Sequence, residues 1–308
     1  MPKLKETVVK IATLKFIIIN LFLVASCENN EEIFDPIDDL SVSIPDIHFE
    51  TKLIAQGIDS DGIVNHRILK SDAESVSRLD LNLSSLYGNI NSLKGIEAFT
   101  NITYLSAAGQ NFNTIDVSKN TLLDSLYLWG NNLTTIDISN NSKLLYLDIE
   151  ANQLNSIQGL SSLTHLKKLN LSFNDFEEIS FQNESLEVVL ISHNLLKSID
   201  TKDAPNLKNA FLILNQLTSV DFSSNTQLET LVMSANKLEN INLENNTKLT
   251  HFYASSNLFT SLDVSKNSNL IDLRVDRNPN LNCIKILDNQ QILTVSISNY
   301  QSLNTSCN

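Results

Sequence analysis

Four aspartates at one recurring position, Asp116, Asp137, Asp221 and Asp263, are each followed two residues later by a serine: Ser118, Ser139, Ser223 and Ser265. Stacked carboxylates about 5 Å apart repel one another, so cations or hydrogen-bond donors must compensate. An aspartate side chain bonds its own backbone two residues on, and the serine spacing favours that turn-capping over a metal ladder. A second acidic phrase, Asp59-Ser60-Asp61-Gly62, opens like a calcium loop. Its fifth position is Ile63 and its twelfth Lys70, where oxygen ligands would be required, so a plain turn is expected. No metal and no cofactor is expected.

The remaining chemistry-bearing residues do not converge. His48, His66, His165, His193 and His251 are far apart in sequence, the seven glycines form no phosphate-cradling loop, and neither G-x-S-x-G nor H-E-x-x-H occurs. No catalytic residue is assigned and an enzyme is not expected. The formal net charge is -13, which repels phosphate backbones, and no zinc-finger spacing or basic patch is present. Nucleic acid is therefore excluded as an expected partner, and the charge is read as serving solubility.

What must position any functional side chain is a repeat. Asn131, Asn152, Asn174, Asn194, Asn215, Asn236, Asn257 and Asn278 stand 20 to 22 residues apart, each inside the phrase L-x-x-L-x-L-x-x-N-x-L. Leu123, Leu126, Leu128, Asn131 and Leu133 make one copy; Leu228, Leu231, Met233, Asn236 and Leu238 make another. Weaker copies include Ile102, Leu105, Ala107, Gln110 and Phe112. A unit this short cannot bury its apolar side alone and must stack on its neighbours. The L-x-L alternation puts leucines inward and the residues between them in solvent. Each asparagine turns inward, where its amide can satisfy otherwise unpaired backbone groups of adjacent coils.

This pattern, over roughly residues 76–278, resembles the leucine-rich repeat family, in its compact bacterial subclass of about 21 residues. The stretches Ser92-Leu93-Lys94-Gly95-Ile96-Glu97 and Ser156-Ile157-Gln158-Gly159-Leu160 resemble internalin repeats. The expected fold is a β-rich solenoid, a leucine-rich repeat right-handed superhelix of about ten coils. It begins near Val76, Leu79, Leu81 and Leu86, with a small helical N-terminal cap and a disulfide-closed C-terminal cap. The ten-residue return path leaves no room for a helix, and alternations such as Ile136-Asp137-Ile138 predict a second extended segment.

Residues 1–26 read as a secretory signal: Lys3, Lys5, Lys10 and Lys15 precede an apolar run of about ten residues, too short to span a membrane. Val24-Ala25-Ser26-Cys27 resembles the bacterial lipobox, which implies lipidation at Cys27. Residues 27–44 are expected to form an acidic flexible tether. Glu28-Asn29-Asn30-Glu31-Glu32 resembles the surface-export signal of Bacteroidota lipoproteins, without that signal's common lysine. The implied location is the outer membrane, lipid-anchored and exposed at the cell surface, with no other membrane contact.

The caps are expected at residues 45–75 and 279–308. Pro45 fits the first turn of a helix, Phe49 and Leu53 fall on one face, and Gly57 fits its stop. The phrase Asn278-Pro279-Asn280-Leu281-Asn282-Cys283 with Cys307 resembles the C-terminal cap of Bacteroidota repeat proteins, which implies a Cys283–Cys307 disulfide; two free thiols are the alternative.

If leucines point inward, binding falls to the residues between them. Tyr127, Trp129 and Tyr146 lie on adjacent coils toward the N-terminal end, and Leu190, Phe211, Ile213, Val232 and Tyr253 make a stripe toward the other. Such a stripe is contiguous over roughly 15 Å at a strand spacing of about 4.8 Å. Exposed apolar continuity marks contact surfaces, although neighbouring aromatics also stabilise one another without a ligand. The resemblance implies a non-enzymatic protein-binding or adhesion module that engages its ligand on the concave strand face. The alternative is a glycan-capturing surface lipoprotein, with Tyr127, Trp129 and Tyr146 stacking on sugar rings while Asp148 and Glu150 bond hydroxyls.

Overall fold

In the computed structural model, which describes residues 40–82 and 90–307, the first apolar residue of each L-x-L phrase is the centre of a three-residue strand. The expected signal over residues 1–26, Cys27, the expected tether as far as Asp39, and Leu86 lie outside the described residues. Among those described, eleven strands stack in parallel into one sheet. It runs from Arg78–Asp80 through Tyr104–Ser106, Ser125–Tyr127, Tyr146–Asp148 and Lys168–Asn170. It continues through Val188–Leu190, Asn209–Phe211, Thr230–Val232, His251–Tyr253 and Asp272–Arg274 to Thr294–Ser296. Register is kept residue for residue: Leu105, Leu126, Leu147, Leu169 and Val189 face one another along the spine, and all are buried.

The asparagines lock that stack. Asn152 donates its amide to the carbonyls of Leu128, one coil back, at 3.0 Å and of Ile149 at 3.1 Å, and its Oδ1 accepts from Leu133 N–H at 3.0 Å. The same bonds recur at Asn174, Asn194, Asn215, Asn236, Asn257 and Asn278. Glutamine takes the place at both ends, with Gln110 donating to Leu81 O at 2.8 Å and Gln301 to Val275 O at 3.0 Å.

A second ladder runs on the return path. Asn120, Asn141, Asn225, Asn246 and Asn267 are wholly buried, and each donates to two carbonyls of the preceding coil; for Asn141 these are Val117 O and Asn120 O, both at 3.0 Å. The expected second extended segment exists only in places. A parallel pair joins Glu178–Gln182 to Ser198–Asp203, and a three-stranded ladder joins Leu262–Asp263, Cys283–Lys285 and Ser302–Asn304. Both internalin-like stretches run into a 3-10 turn, at Ile96–Ala98 and Leu160–Ser162, each entered through a left-handed glycine.

The caps differ from expectation at three points. The N-terminal helix is Ile47–Ala55, capped by Asp46, whose carboxylate accepts from His48 and Phe49 N–H, so Pro45 stands outside the first turn. Phe49 and Leu53 are buried as expected, and Gly57 follows the helix at φ 69°. Residues 40–44 belong to the cap rather than the tether: Ser41–Ser43 pairs antiparallel with Arg67–Leu69, and Ile44 is buried. Repeat architecture also continues past Asn278, because Thr294–Ser296 adds an eleventh rung and Gln301 supplies its ladder amide. The Cys283–Cys307 disulfide ties this last coil, with Cα atoms 5.7 Å apart, but Leu293 beside the terminal strand is 82% exposed.

Candidate functional site

The strand face presents two residues from each coil, flanking the buried spine residue. Arg78, Tyr104, Ser125, Tyr146 and Lys168 follow one another in one column; Asp80, Ser106, Tyr127, Asp148 and Asn170 make the parallel one. That second column continues as Leu190, Phe211, Val232, Tyr253 and Arg274. Four of the five residues of the expected apolar stripe therefore stand in one unbroken file. Ile213 lies two residues beyond Phe211 on the same coil, tied by its carbonyl to His193 N–H at 2.7 Å.

Exposure within the file is uneven. Leu190, Phe211, Ile213 and Tyr253 are half-buried, whereas Val232 is only 4% exposed. Expected to face a ligand, the shorter valine instead sits between Phe211 and Tyr253 in the file and is buried. Ser106, Asn170 and Asp272, also expected in solvent, are buried as well. Tyr253 is held rigidly. Its hydroxyl donates to Asp272 Oδ2 at 2.9 Å, and the Arg274 guanidinium, itself bonded to Asp272, lies 4.5 Å from the ring centre. Burial, and next the bond to Asp272, push the Tyr253 hydroxyl up, while the Arg274 bonds hold the Asp272 carboxyl below its ordinary value.

The aromatic group toward the N-terminus does not form one platform. Tyr146 lies opposite Ser125, whereas Trp129 comes four residues after Ser125, beyond the strand's end at Tyr127, about 13 Å on if the chain stays extended. Tyr127 sits between them and packs on Tyr104, ring centres 5.4 Å apart, with the Arg78 guanidinium 3.4 Å from the Tyr104 ring centre. Trp129 is 48% exposed and Tyr146 is exposed too. The two acids expected to bond sugar hydroxyls are already engaged: Glu150 accepts from the Asn170 amide at 2.7 Å, and Asp148 accepts from Glu150 N–H at 3.1 Å. Burial raises the Asp148 carboxyl above its ordinary value.

A neighbouring row stands outside both expected groups. Phe173, His193 and Leu214 precede successive ladder asparagines; Phe173 and Leu214 are 48% and 47% exposed, and the Phe173 and His193 rings stack. Their signal in the sequence is bulk at a position where other coils carry Gly109, Gly130 or Ala151.

The aspartate ladder is a set of turns. Asp116, Asp137, Asp221 and Asp263 accept from the N–H of Ser118, Ser139, Ser223 and Ser265 at 2.8 to 2.9 Å, and Asn242 does the same for Glu244. At Asp116, Asp137 and Asp221 the serine bonds hold the carboxyl below its ordinary value. Asp61 likewise accepts from Ile63 N–H at 2.8 Å and from the Asn65 amide at 2.7 Å. Among the described residues no group of three or more acids, histidines or cysteines is arranged to hold a metal ion.

No protein-family model and no curated protein matches the chain. Solved structures do. An internalin, InlF of Listeria monocytogenes, is 17% identical over 89% of this chain and 98% of its own, with a TM-score of 0.51. The leucine-rich effector YopM of Yersinia pestis is 21% identical over 74% of this chain and 62% of its own, at 0.55. A chain of the LRIM1/APL1C complex is 21% identical over 76% of this chain and 47% of its own, at 0.59. With coils stacked through buried leucines and asparagine ladders, the fold of this chain is that of the leucine-rich repeat proteins.

Proposed function

We propose that this chain is a non-enzymatic protein-binding or adhesion module, held on a bacterial cell envelope by a lipid on Cys27, with its ligand on the concave strand face. The observation that carries this reading is the apolar file in which Leu190, Phe211 and Tyr253 keep part of their surface in solvent around the buried Val232, bordered by Ile213 and the exposed Leu214 and Phe173. A solvent-facing parallel sheet has no folding need for so much apolar surface, and continuous patches of this kind mark interfaces. Rigid aromatic anchors such as Tyr253 contribute most there, since little side-chain entropy is lost on binding. Among the similar structures, one is itself a complex of two named chains.

A sugar ligand at Tyr127, Trp129 and Tyr146 is the second reading, favoured by the exposure of Trp129 and Tyr146. The two readings separate in one experiment. A protein captured by the wild-type chain and lost at least tenfold in Phe211→Ala supports the first; glycan-array binding lost in Trp129→Ala supports the second. Metabolic lipid labelling that persists in Cys27→Ser would refute the anchor, and resistance to proteinase on intact cells would refute surface display.

A further inference from the structure

The return-path side of the solenoid carries a break that its regular repeats lack. Gly159 takes φ 85° and lies so close to the preceding coil that a Cβ there would come within 2.4 Å of Ser139 N. Its neighbour Gln158 is hydrogen-bonded backwards, accepting from Ile138 N–H at 3.0 Å and donating to Ile136 O at 3.1 Å. The next return segment, Glu178–Gln182, is paired forwards, to Ser198–Asp203. Between the rung Asp175 N–H to Leu154 O at 2.8 Å and the rung Glu187 N–H to Lys167 O at 2.9 Å, no backbone hydrogen bond joins the two coils among the described residues, and the Asn183 amide bridges to Leu163 O at the far end. A cleft of about 730 Å³ opens between them.

Three features of this cleft point to one kind of occupant. Its floor is apolar: Ile157, Leu160, Ile179 and Ile199 line it, half-buried and packed on the core. Its wall is an edge strand with a single partner. Alternate residues of a parallel strand aim N–H and C=O to opposite sides, so part of the Glu178–Gln182 backbone points away from Ser198–Asp203 and toward the opening. No lysine or proline of that strand blocks it, although such devices protect most edges, and the one register shift of the pair lies between Asp200 and Asp203 of its partner. Its rim is acidic, with exposed Glu178 and Asp200 and no lysine or arginine among the lining residues.

We infer that this cleft is a second docking site, in which an extended peptide strand of a partner protein, bearing lysine or arginine between apolar residues, pairs with the edge of Glu178–Gln182. Strand addition draws affinity from main-chain bonds and specificity from alternate side chains. Here one set would fill the isoleucine floor and the other would meet Glu178 and Asp200. A five-residue edge is about 16 Å long and accommodates a peptide of about five residues. The chain's own N-terminal segment is an unsuitable occupant, because Glu28, Glu31, Glu32, Asp35, Asp38 and Asp39 would set like charge against the rim.

The probe is an acetylated, amidated pentapeptide of alternating lysine and valine, titrated calorimetrically into the mature chain. Saturable binding is expected, weakened at least tenfold when glutamate replaces the peptide's lysines, and weakened at least tenfold in Glu178→Lys/Asp200→Lys, which should melt at the wild-type temperature. Methylating alternate peptide nitrogens should abolish it, and Phe211→Ala or Trp129→Ala should leave it unchanged. No binding at millimolar peptide, retained binding of the methylated peptide, or loss only in the strand-face variants would overturn the assignment.

Discussion

Phe173 and His193, on successive coils, stack their rings at 4.1 Å and 12°, and both hold left-handed backbone, with φ 57° and 56°. The position before every ladder amide of these coils must turn this way: Gly109 and Gly130 do so freely, while Ala151, Leu214, Ala235, Ser256 and Arg277 do so under strain. Left-handed backbone costs a residue with a Cβ about 1 kcal/mol or more. Bulky apolar residues kept there, half-exposed, are better explained by contact than by folding.

Leu214→Gly should therefore raise stability by about 0.5 to 1 kcal/mol, strain relief outweighing the added freedom of the unfolded chain. Phe173→Gly should gain less, since it also loses the stack on His193. Both should weaken ligand binding. Denaturant titration beside a binding assay reads the trade; a destabilised Leu214→Gly contradicts it.

Asn152→Ala removes one of two donors from Leu128 O and Ile149 O, and the partner of Leu133 N–H. The expected loss is about 2 to 3 kcal/mol in urea unfolding, the cost of leaving buried backbone groups unpaired. Asn132→Ala, at the exposed neighbour, should stay within about 0.5 kcal/mol.

Asp59 is buried with its Oδ2 unpaired, and burial, then the charges of Asp61 and Glu50, push its carboxyl up to about 6. The folded state thus holds a proton that the unfolded chain releases near pH 4, and stability falls as pH rises through about 6. Asp59→Asn should raise the melting temperature clearly at pH 7.5 and little at pH 4. An equal shift at both pH values would show that ionisation is not the cause.

The Cys283–Cys307 bridge closes 24 residues of sequence. Replacing both cysteines with alanine should cost about 3 kcal/mol, chiefly through the freedom returned to the unfolded chain. The mature protein's intact mass should rise by two hydrogens on reduction; an unchanged mass would mean two free thiols.

Much of this architecture is legible in the order of the residues alone. The spacing of Asn131 to Asn278 announces the coils, because a buried amide that bridges two coils tolerates few substitutes. The return-path ladder is equally regular, with Asn120, Asn141, Asn183, Asn225, Asn246 and Asn267 separated by 21 or 42 residues, but Ser162 and Ala204 interrupt it and hide the period. Gln301 disguises the final rung by adding a methylene to the expected amide. On the strand face, direction is readable and exposure is not: Val232 and Phe211 share one file, and the sizes of their neighbours decide which of them meets solvent. The cleft beside Glu178–Gln182 arises from two repeat types that pair in opposite directions, a mismatch that neither repeat displays alone.

The most direct test places a photo-crosslinking phenylalanine analogue at Phe211, on the strand face, and separately at Glu244, exposed on the return path, in cells that display the protein. Irradiation should join one discrete protein partner to the chain at position 211 and none at position 244. Adducts of equal yield from both positions, or none at 211 in cells where the ligand is demonstrably bound, would contradict binding on the strand face.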